Sequence, residues 1–310
     1  MIRRALLGVA LLALLALLLP PLWYVAFPTA APDLPAAGRR VEVAPGVHVN
    51  AIEAGEGPPV VLVHGHPGSA YDWAALMPEL AARGRRVIAY DRVGYGRSDA
   101  RLDGDFSVDA NARELLGFLG AEDLHDVTLV GWSYGGGASM VATRRDPSRV
   151  RELVLVGSVG PRIGELPAPP SWLRDFVLGP VMSWVRWVPP LGSQLEASFI
   201  DRAFHPAAVP PDARSVFAAN FARSHSFESM RSEGRDLGGA ADLDPSRIER
   251  PILVVHGEAD QMVPLFVAEE IHRRAPRSKL RVVPGGGHVL PATHPVELAE
   301  WIVRGTKTDS

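Results

Sequence analysis

The sequence predicts a doubly wound α/β domain, a mostly parallel sheet flanked by helices, interrupted by an inserted helical cap. Three observations lead there. First, the runs "VVLVHG", "RVIAYD", "DVTLVGWS", "ELVLVG" and "PILVVHG" are continuously apolar, as strands buried on both faces must be. Second, segments with helical spacing and helix-ending residues separate these runs. Third, that alternation stops between about residues 159 and 250, where prolines and aromatic residues accompany helical periodicity alone. Strand and helix alternation with a single break is the signature of a wound α/β core carrying one insertion.

The elements follow in order. Arg3 and Arg4 precede an uncharged apolar run from Ala5 to Phe27. At about 1.5 Å per residue, that run is long enough to cross a hydrocarbon core of about 30 Å. It reads as an uncleaved membrane anchor, with a cleaved signal and a buried helix as alternatives, because Pro20 and Pro21 weaken its far end and no small-x-small cleavage site follows. Paired arginines on its N-terminal side put the rest of the chain outside the cytoplasm, anchored or exported. Residues 1–28 form this segment, and "AAPDLPAAG" within residues 29–40 suits a short stiff linker. The core is then expected over residues 41–158 and 246–310, with the cap over 159–245.

Within the core, "RRVEVAPGVHVNAIEAG" alternates apolar and polar residues about Pro45 and Gly46, the pattern of a hairpin with one solvated face. "DWAALMPELAARG" is expected to form a helix ending at a glycine, and "SVDANARELLGFLGA" one opening on a serine cap. After the cap come a strand, a helix from Leu265 to Arg274, the strand "KLRVVPG" and the helix "HPVELAEWIVRG".

Composition narrows the function classes. The 310 residues are 47% hydrophobic and 22% charged with a formal net charge of -3, which gives no reason to expect nucleic acid as a partner. The absence of cysteine excludes disulfides, a catalytic thiol, cysteine-ligated zinc and iron-sulfur clusters. The histidines show no zinc-ligand spacing, so neither a metal nor another cofactor is expected. Oligomeric state is not legible.

The chemistry lies at strand ends. In "LVGWSYGG" a strand gives way to a helix within about two residues, which forces Ser133 to positive φ and requires small neighbours at Gly131 and Gly135. A serine hydroxyl needs a base, itself oriented by an acid. Asp260 in "HGEADQMVP" and His288 in "GGGHVLP" follow the next two strands in the chain order such a fold requires. An oxyanion hole needs two N–H donors: Tyr134 supplies one, and His66 in "HGHPG" supplies the other. The His66 side chain either lines the pocket beside the leaving group or packs on Tyr71 or Trp73. His64 and His256 read as structural, and Asp91 and Arg92 in "YDRVGYGRSD" as residues that tie their loop down. Trp172, Trp184 and Phe221 are the cap aromatics expected to line an apolar substrate site.

The motifs "HGHPG", "YDRVGYGRSD", "GWSYGG", "HGEADQMVP" and "GGGH" resemble those of the α/β-hydrolase superfamily. The resemblance covers nearly everything after residue 40 except the cap. It implies Ser133 as nucleophile, Asp260 as acid and His288 as base, with His66 and Tyr134 forming the oxyanion hole. Serine at the elbow departs from the epoxide hydrolases and haloalkane dehalogenases, which carry aspartate there. The expected activity is therefore hydrolysis of a medium-sized apolar carboxylic ester through an acyl-enzyme. Rivals on the same residues are a C–C bond hydrolase of ring-cleavage products, a perhydrolase or haloperoxidase, and a proline-type aminopeptidase. A substantial cap counts against the perhydrolase, and the cap acids Glu165, Asp175, Glu196 and Asp201 show no cluster that would hold a substrate amine. A catalytically inactive binding module is the non-enzyme alternative.

Overall fold

The computed structural model of the chain describes residues 34–101, 104–166, 191–222, 224–237 and 242–306, together with Gly8, Leu15 and Leu173. The chain divides into two units, one of Met1–Pro32 and Pro167–Phe199, the other of Asp33–Leu166 and Ile200–Ser310. The membrane-anchor segment and the aromatics Trp172 and Trp184 lie outside the described residues. Among the described residues, no helix is long and apolar enough to cross a membrane.

The second unit is built on an eight-stranded sheet: β1 (Arg39–Ala44), β2 (Val47–Ala54), β3 (Pro59–Val63), β4 (Arg86–Tyr90), β5 (Val127–Trp132), β6 (Val150–Val156), β7 (Ile252–Gly257) and β8 (Ser278–Val283). Their order is β1-β2-β4-β3-β5-β6-β7-β8. The hairpin pair β1/β2 and the pair β2/β4 are antiparallel; all pairs from β4 through β8 are parallel. The strands expected to be buried on both faces are so: every residue of β5 and β7 is buried. β1 alternates, as an edge with one wet face should.

Two apolar layers sandwich the sheet, and the alternation of side chains along each strand assigns residues between them. On one face Val61, Val63, Leu129, Leu155 and Val254 pack with helices α2 (Val108–Ala121), α3 (Tyr134–Arg145) and α7 (Leu265–Arg274). On the other, Val60, Leu62, Val130, Val154 and Val255 pack with α1 (Leu76–Ala82) and α9 (Pro295–Arg304). Helices α4 (Leu191–Phe204), α5 (Pro211–Ala222) and α6 (Ser224–Leu237) come from the inserted stretch, and α8 (Leu290–Thr293) follows β8. Among its described residues the inserted stretch forms these three helices, α4 to α6, and a 3₁₀ turn at Ile163–Glu165, joined by turns and loops.

Two local expectations are revised. The helix expected over "DWAALMPELAARG" is a 3₁₀ turn, Ala70–Trp73, followed by α1. Pro78 enforces the break, since it has no N–H to bond the carbonyl four residues earlier and its ring clashes there, so it is tolerated only in a first turn. The end of the expected stiff linker is docked instead. Leu34 is buried, Arg97 donates to the carbonyls of Leu34 and Pro35, and the Tyr71 hydroxyl donates to that of Ala36. The buried Leu34 and those three accepting carbonyls fasten this otherwise exposed stretch to the domain.

Because β3 is flanked by β4 on one side and β5 on the other, the chain winds in opposite directions from this point. A crevice opens at the carboxyl ends of strands where such a reversal occurs. The loops leaving β3 and β5 carry His66 and Ser133.

Candidate active site

Ser133 has φ 54° and ψ −121° and stands as the N-cap of α3. A non-glycine residue in this region costs of order 1–3 kcal/mol and persists only where its surroundings impose it. The surroundings here are backbone. A Cβ at Gly131 would stand 2.5 Å from Gly136 Cα, and one at Gly135 would stand 2.3 Å from the Val63 carbonyl oxygen. Glycine is therefore what lets the start of α3 pass against the ends of β3 and β5. Main-chain bonds then pin the elbow: Ser133 N–H donates to Val156 O at 3.0 Å, and Ser133 O accepts from Val159 N–H at 3.1 Å.

His288 and Asp260 are brought together, with Nδ1 and Oδ2 2.7 Å apart. The other carboxylate oxygen, Oδ1, accepts from the main-chain N–H groups of Met262 and Val263 at 2.8 and 2.9 Å. Burial pushes the Asp260 carboxyl up, but contact with His288 and His256 and the bond from Val263 outweigh it, leaving the group below the ordinary carboxylate range. An ionised, doubly anchored Asp260 fixes the proton of His288 on Nδ1, which leaves Nε2 as the basic nitrogen. The Trp132 indole N–H donates to the His288 carbonyl at 3.0 Å, and the two rings lie 5.4 Å apart. The residue before the elbow thus holds the histidine.

Gly157, at φ +48°, joins the pair to the elbow. A Cβ there would lie 3.3 Å from His288 Nδ1 and 3.4 Å from Asp260 Oδ2, while Ser133 is bonded to Val156 and Val159 on either side of it. Ser133, Asp260 and His288 therefore surround one stretch of backbone at the end of β6, and both Ser133 and His288 are largely buried.

The β3 loop runs beside the elbow. A Cβ at Gly65 would be 2.9 Å from Ser133 Cβ, so the next residue, His66, is adjacent to the serine. Tyr134 begins α3, where main-chain N–H groups have no partner within the helix. Its hydroxyl donates to Phe106 O at 2.8 Å. The His66 ring packs on Tyr134, at 6.0 Å between centroids, and Nδ1 lies 2.7 Å from Glu233 Oε2. Of the two expectations for this side chain, packing on Tyr71 or Trp73 is not what the structure has. Phe221 is half-buried against the apolar layer that contains Trp132 and Phe217.

The residues expected to be structural are bonded as such. His64 is fully buried, and its Nδ1 lies 2.9 Å from Gly65 O while Nε2 accepts from Arg92 N–H at 2.9 Å. Burial and then Arg92 drive its pKa well below that of a free imidazole, so it is neutral. Asp91 accepts from the N–H groups of Ala70 and Arg97, at 2.7 and 2.8 Å, which ties its loop to the β3 loop.

An α/β-hydrolase-fold family model matches residues 58–295. The chain belongs to the α/β-hydrolase superfamily. The 2-hydroxy-6-oxo-2,4-heptadienoate hydrolase of Pseudomonas putida is 32% identical over 261 residues, covering 80% of this chain and 89% of its relative. Among solved structures, the bromoperoxidase from Bacillus anthracis superposes with TM-score 0.71 at 26% identity, over 86% of this chain and 98% of its own. An esterase from Exiguobacterium antarcticum superposes with TM-score 0.74, covering 87% of this chain and 100% of its own, and its 24% identity speaks to the fold alone.

One side chain beside this candidate site, Glu233, escapes sequence reasoning. Glu233 lies in "SHSFESMRSEGRDL", where its charge is one of several on a polar helix and nothing marks it as buried; it is 0% exposed. The four cap acids that sequence reading singles out do not include it. His256 is buried, with Nε2 2.9 Å from Val263 O and 3.5 Å from Asp260 Oδ2. Burial lowers its pKa despite Asp260, so it supports the acid as a neutral ring. This is the structural role that the sequence reading gave it.

Proposed function

We propose that this α/β-hydrolase is a serine hydrolase that cleaves a carboxylic ester through an acyl-enzyme. The observation that carries the reading is the Asp260–His288 pair at the carboxyl ends of β7 and β8, sharing the Gly157 backbone with a serine held at positive φ. His288 Nε2 takes the proton of Ser133 as its Oγ attacks the ester carbonyl, and Asp260 stabilises the imidazolium. The main-chain N–H groups of Tyr134 and His66 receive the oxyanion. Collapse of that intermediate expels the alkoxide, which takes the proton from His288, and water repeats the sequence to release the acid. Phe221, half-buried beside Trp132 and Phe217, contributes to the apolar lining of the substrate site.

A second reading has a specific observation behind it. The relative at 32% identity is named a 2-hydroxy-6-oxo-2,4-heptadienoate hydrolase, and the same residues suit attack on a ketone followed by C–C cleavage. A panel of 4-nitrophenyl acetate, 4-nitrophenyl butyrate and a vinylogous 1,5-diketone, tested on wild type and Ser133→Ala, separates the two. Ester turnover that disappears in Ser133→Ala supports the esterase; turnover confined to the diketone replaces it with the C–C hydrolase.

The apolar segment of residues 5–27 serves in this reading as a membrane anchor or signal, with the hydrolase outside the cytoplasm. Cell fractionation tests this: full-length chain confined to the soluble cytoplasm would rule it out.

A further inference from the structure

The oxyanion donor assigned to His66 is one end of a peptide unit whose other end is held from an unexpected direction. The Gly65 carbonyl and the His66 N–H belong to the same planar trans group and point oppositely, so whatever fixes the carbonyl aims the N–H. Arg92 NH2 donates to Gly65 O at 2.7 Å, and Arg92 Nε donates to His64 O at 3.2 Å. The guanidinium lies between two rings, 4.5 Å from the Tyr95 centroid and 5.0 Å from that of Tyr134. It also donates from NH1 to Asn111 Oδ1 at 2.8 Å.

A buried cation in that position needs a buried anion. Glu233, on the inner side of α6, supplies it: Oε1 accepts from Arg92 NH1 at 2.5 Å and Oε2 from Arg92 NH2 at 3.3 Å. Oε2 also accepts from the Tyr95 hydroxyl at 2.7 Å and lies 2.7 Å from His66 Nδ1. Two more bonds dock the same helix: the Ser229 hydroxyl donates to Gly94 O at 3.2 Å, and Asp236 Oδ2 accepts from Val108 N–H at 2.8 Å. Burial raises the Glu233 carboxyl, and Arg92 and His66 more than reverse this, so the group is ionised.

We infer that Glu233 is a positioning residue for the oxyanion hole, a cap-borne carboxylate that clamps the Gly65–His66 peptide through Arg92 on one side and the His66 ring on the other. Donation to the Gly65 carbonyl also polarises the peptide and strengthens its N–H as a donor. The inserted helix α6 thereby completes a catalytic element of the core: a chain whose α6 is undocked has its serine and histidine but a loosely aimed donor. The inference rests on the serine-hydrolase reading above.

The test compares wild type, Glu233→Gln, His66→Ala and His66→Gln. It measures kcat and KM on 4-nitrophenyl acetate, the second-order rate of Ser133 phosphonylation by a fluorophosphonate, and Tm. Loss of one oxyanion donor costs about 10²–10³ in kcat, so misaiming one is expected to cost about 10–100-fold. Glu233→Gln should lower kcat and the phosphonylation rate by this same factor with KM within twofold. His66→Ala leaves Glu233, Arg92 and Tyr95 paired, and keeps the test available if Glu233→Gln does not fold. It should lose at least about fivefold in both rates, and His66→Gln, which restores a donor to Glu233, should recover them to within twofold. Lowered Tm with both rates unchanged per folded molecule would make Glu233 merely structural and overturn the inference. Wild type inert to both reagents would instead overturn the serine-hydrolase reading itself, and the inference with it.

Discussion

Gly135→Ala is the substitution that most directly probes how the elbow is held. The added Cβ would stand 2.3 Å from Val63 O and 2.4 Å from His64 O, both main-chain atoms. Ordinary contact begins at 3.4 Å, so helix α3 and the end of β3 must separate by about 1 Å. Neither can do so by a side-chain rotation. The separation moves the start of α3, with Ser133 and Tyr134, away from the loop that carries His66. A misplacement of about 1 Å at reacting groups costs on the order of 10²-fold in rate, about 2.7 kcal/mol of barrier. Overpacking costs about 1–3 kcal/mol of stability, partly offset by the better helix propensity of alanine. The assay is kcat on 4-nitrophenyl acetate beside a thermal melt. A variant that keeps kcat within twofold of wild type would refute the claim that the β3–α3 backbone contact sets the site.

Other consequences follow from the same structure. Asp260→Asn removes the charge that holds His288 and should reduce kcat by about 10⁴-fold while phosphonylation and turnover fall together. Gly117 and Gly120, both in α2, should respond oppositely to alanine. A Cβ at Gly117 would stand 2.1 Å from Val43 O, whereas at Gly120 nothing lies within 4 Å. Gly120→Ala should therefore gain about 0.5–1 kcal/mol in a denaturant melt and Gly117→Ala should lose stability. Asp72 is buried, and burial holds its carboxyl well above the ordinary range. An acid raised in the folded state stabilises at low pH, and that contribution is lost as pH rises through its folded value. Asn at position 72 keeps an acceptor for Ser69 N–H, which Asp72 Oδ2 now bonds at 2.9 Å. The Tm advantage of Asp72→Asn over wild type should accordingly be larger at pH 8 than at pH 5, and the reverse order would show that Asp72 folds as a stabilised carboxylate.

Much of this site was legible in the sequence because its logic is local. Ser133 sits where an apolar run meets small residues, and Gly131 and Gly135 are absent side chains in a place where backbone must approach backbone. Asp260 and His288 are legible from strand order, since parallel strands deliver their following loops to one end of the sheet. What escaped was set by tertiary contact. Glu233 looks like any acid of a solvated helix until α6 lies on the β3 loop and Arg92 needs a counterion. Leu34 looked like part of a linker because Pro and Ala dominate its neighbours, and only Arg97 and Tyr71, distant in sequence, explain why it docks. The Pro78 break in "DWAALMPELAARG" was readable in principle, as a proline cannot occupy a helix interior.

Trapping the covalent intermediate tests whether Ser133 is the nucleophile. Rapid acid quenching of the protein during turnover of 4-nitrophenyl acetate, followed by peptide mass spectrometry, should find the acetyl group on Ser133. In Asp260→Asn, where deacylation loses its oriented base, its occupancy reports whether attack or release is slowed more. An adduct is expected on Ser133 and none in Ser133→Ala. Ester turnover that persists in Ser133→Ala, with no modified serine in wild type, would contradict Ser133 as the nucleophile.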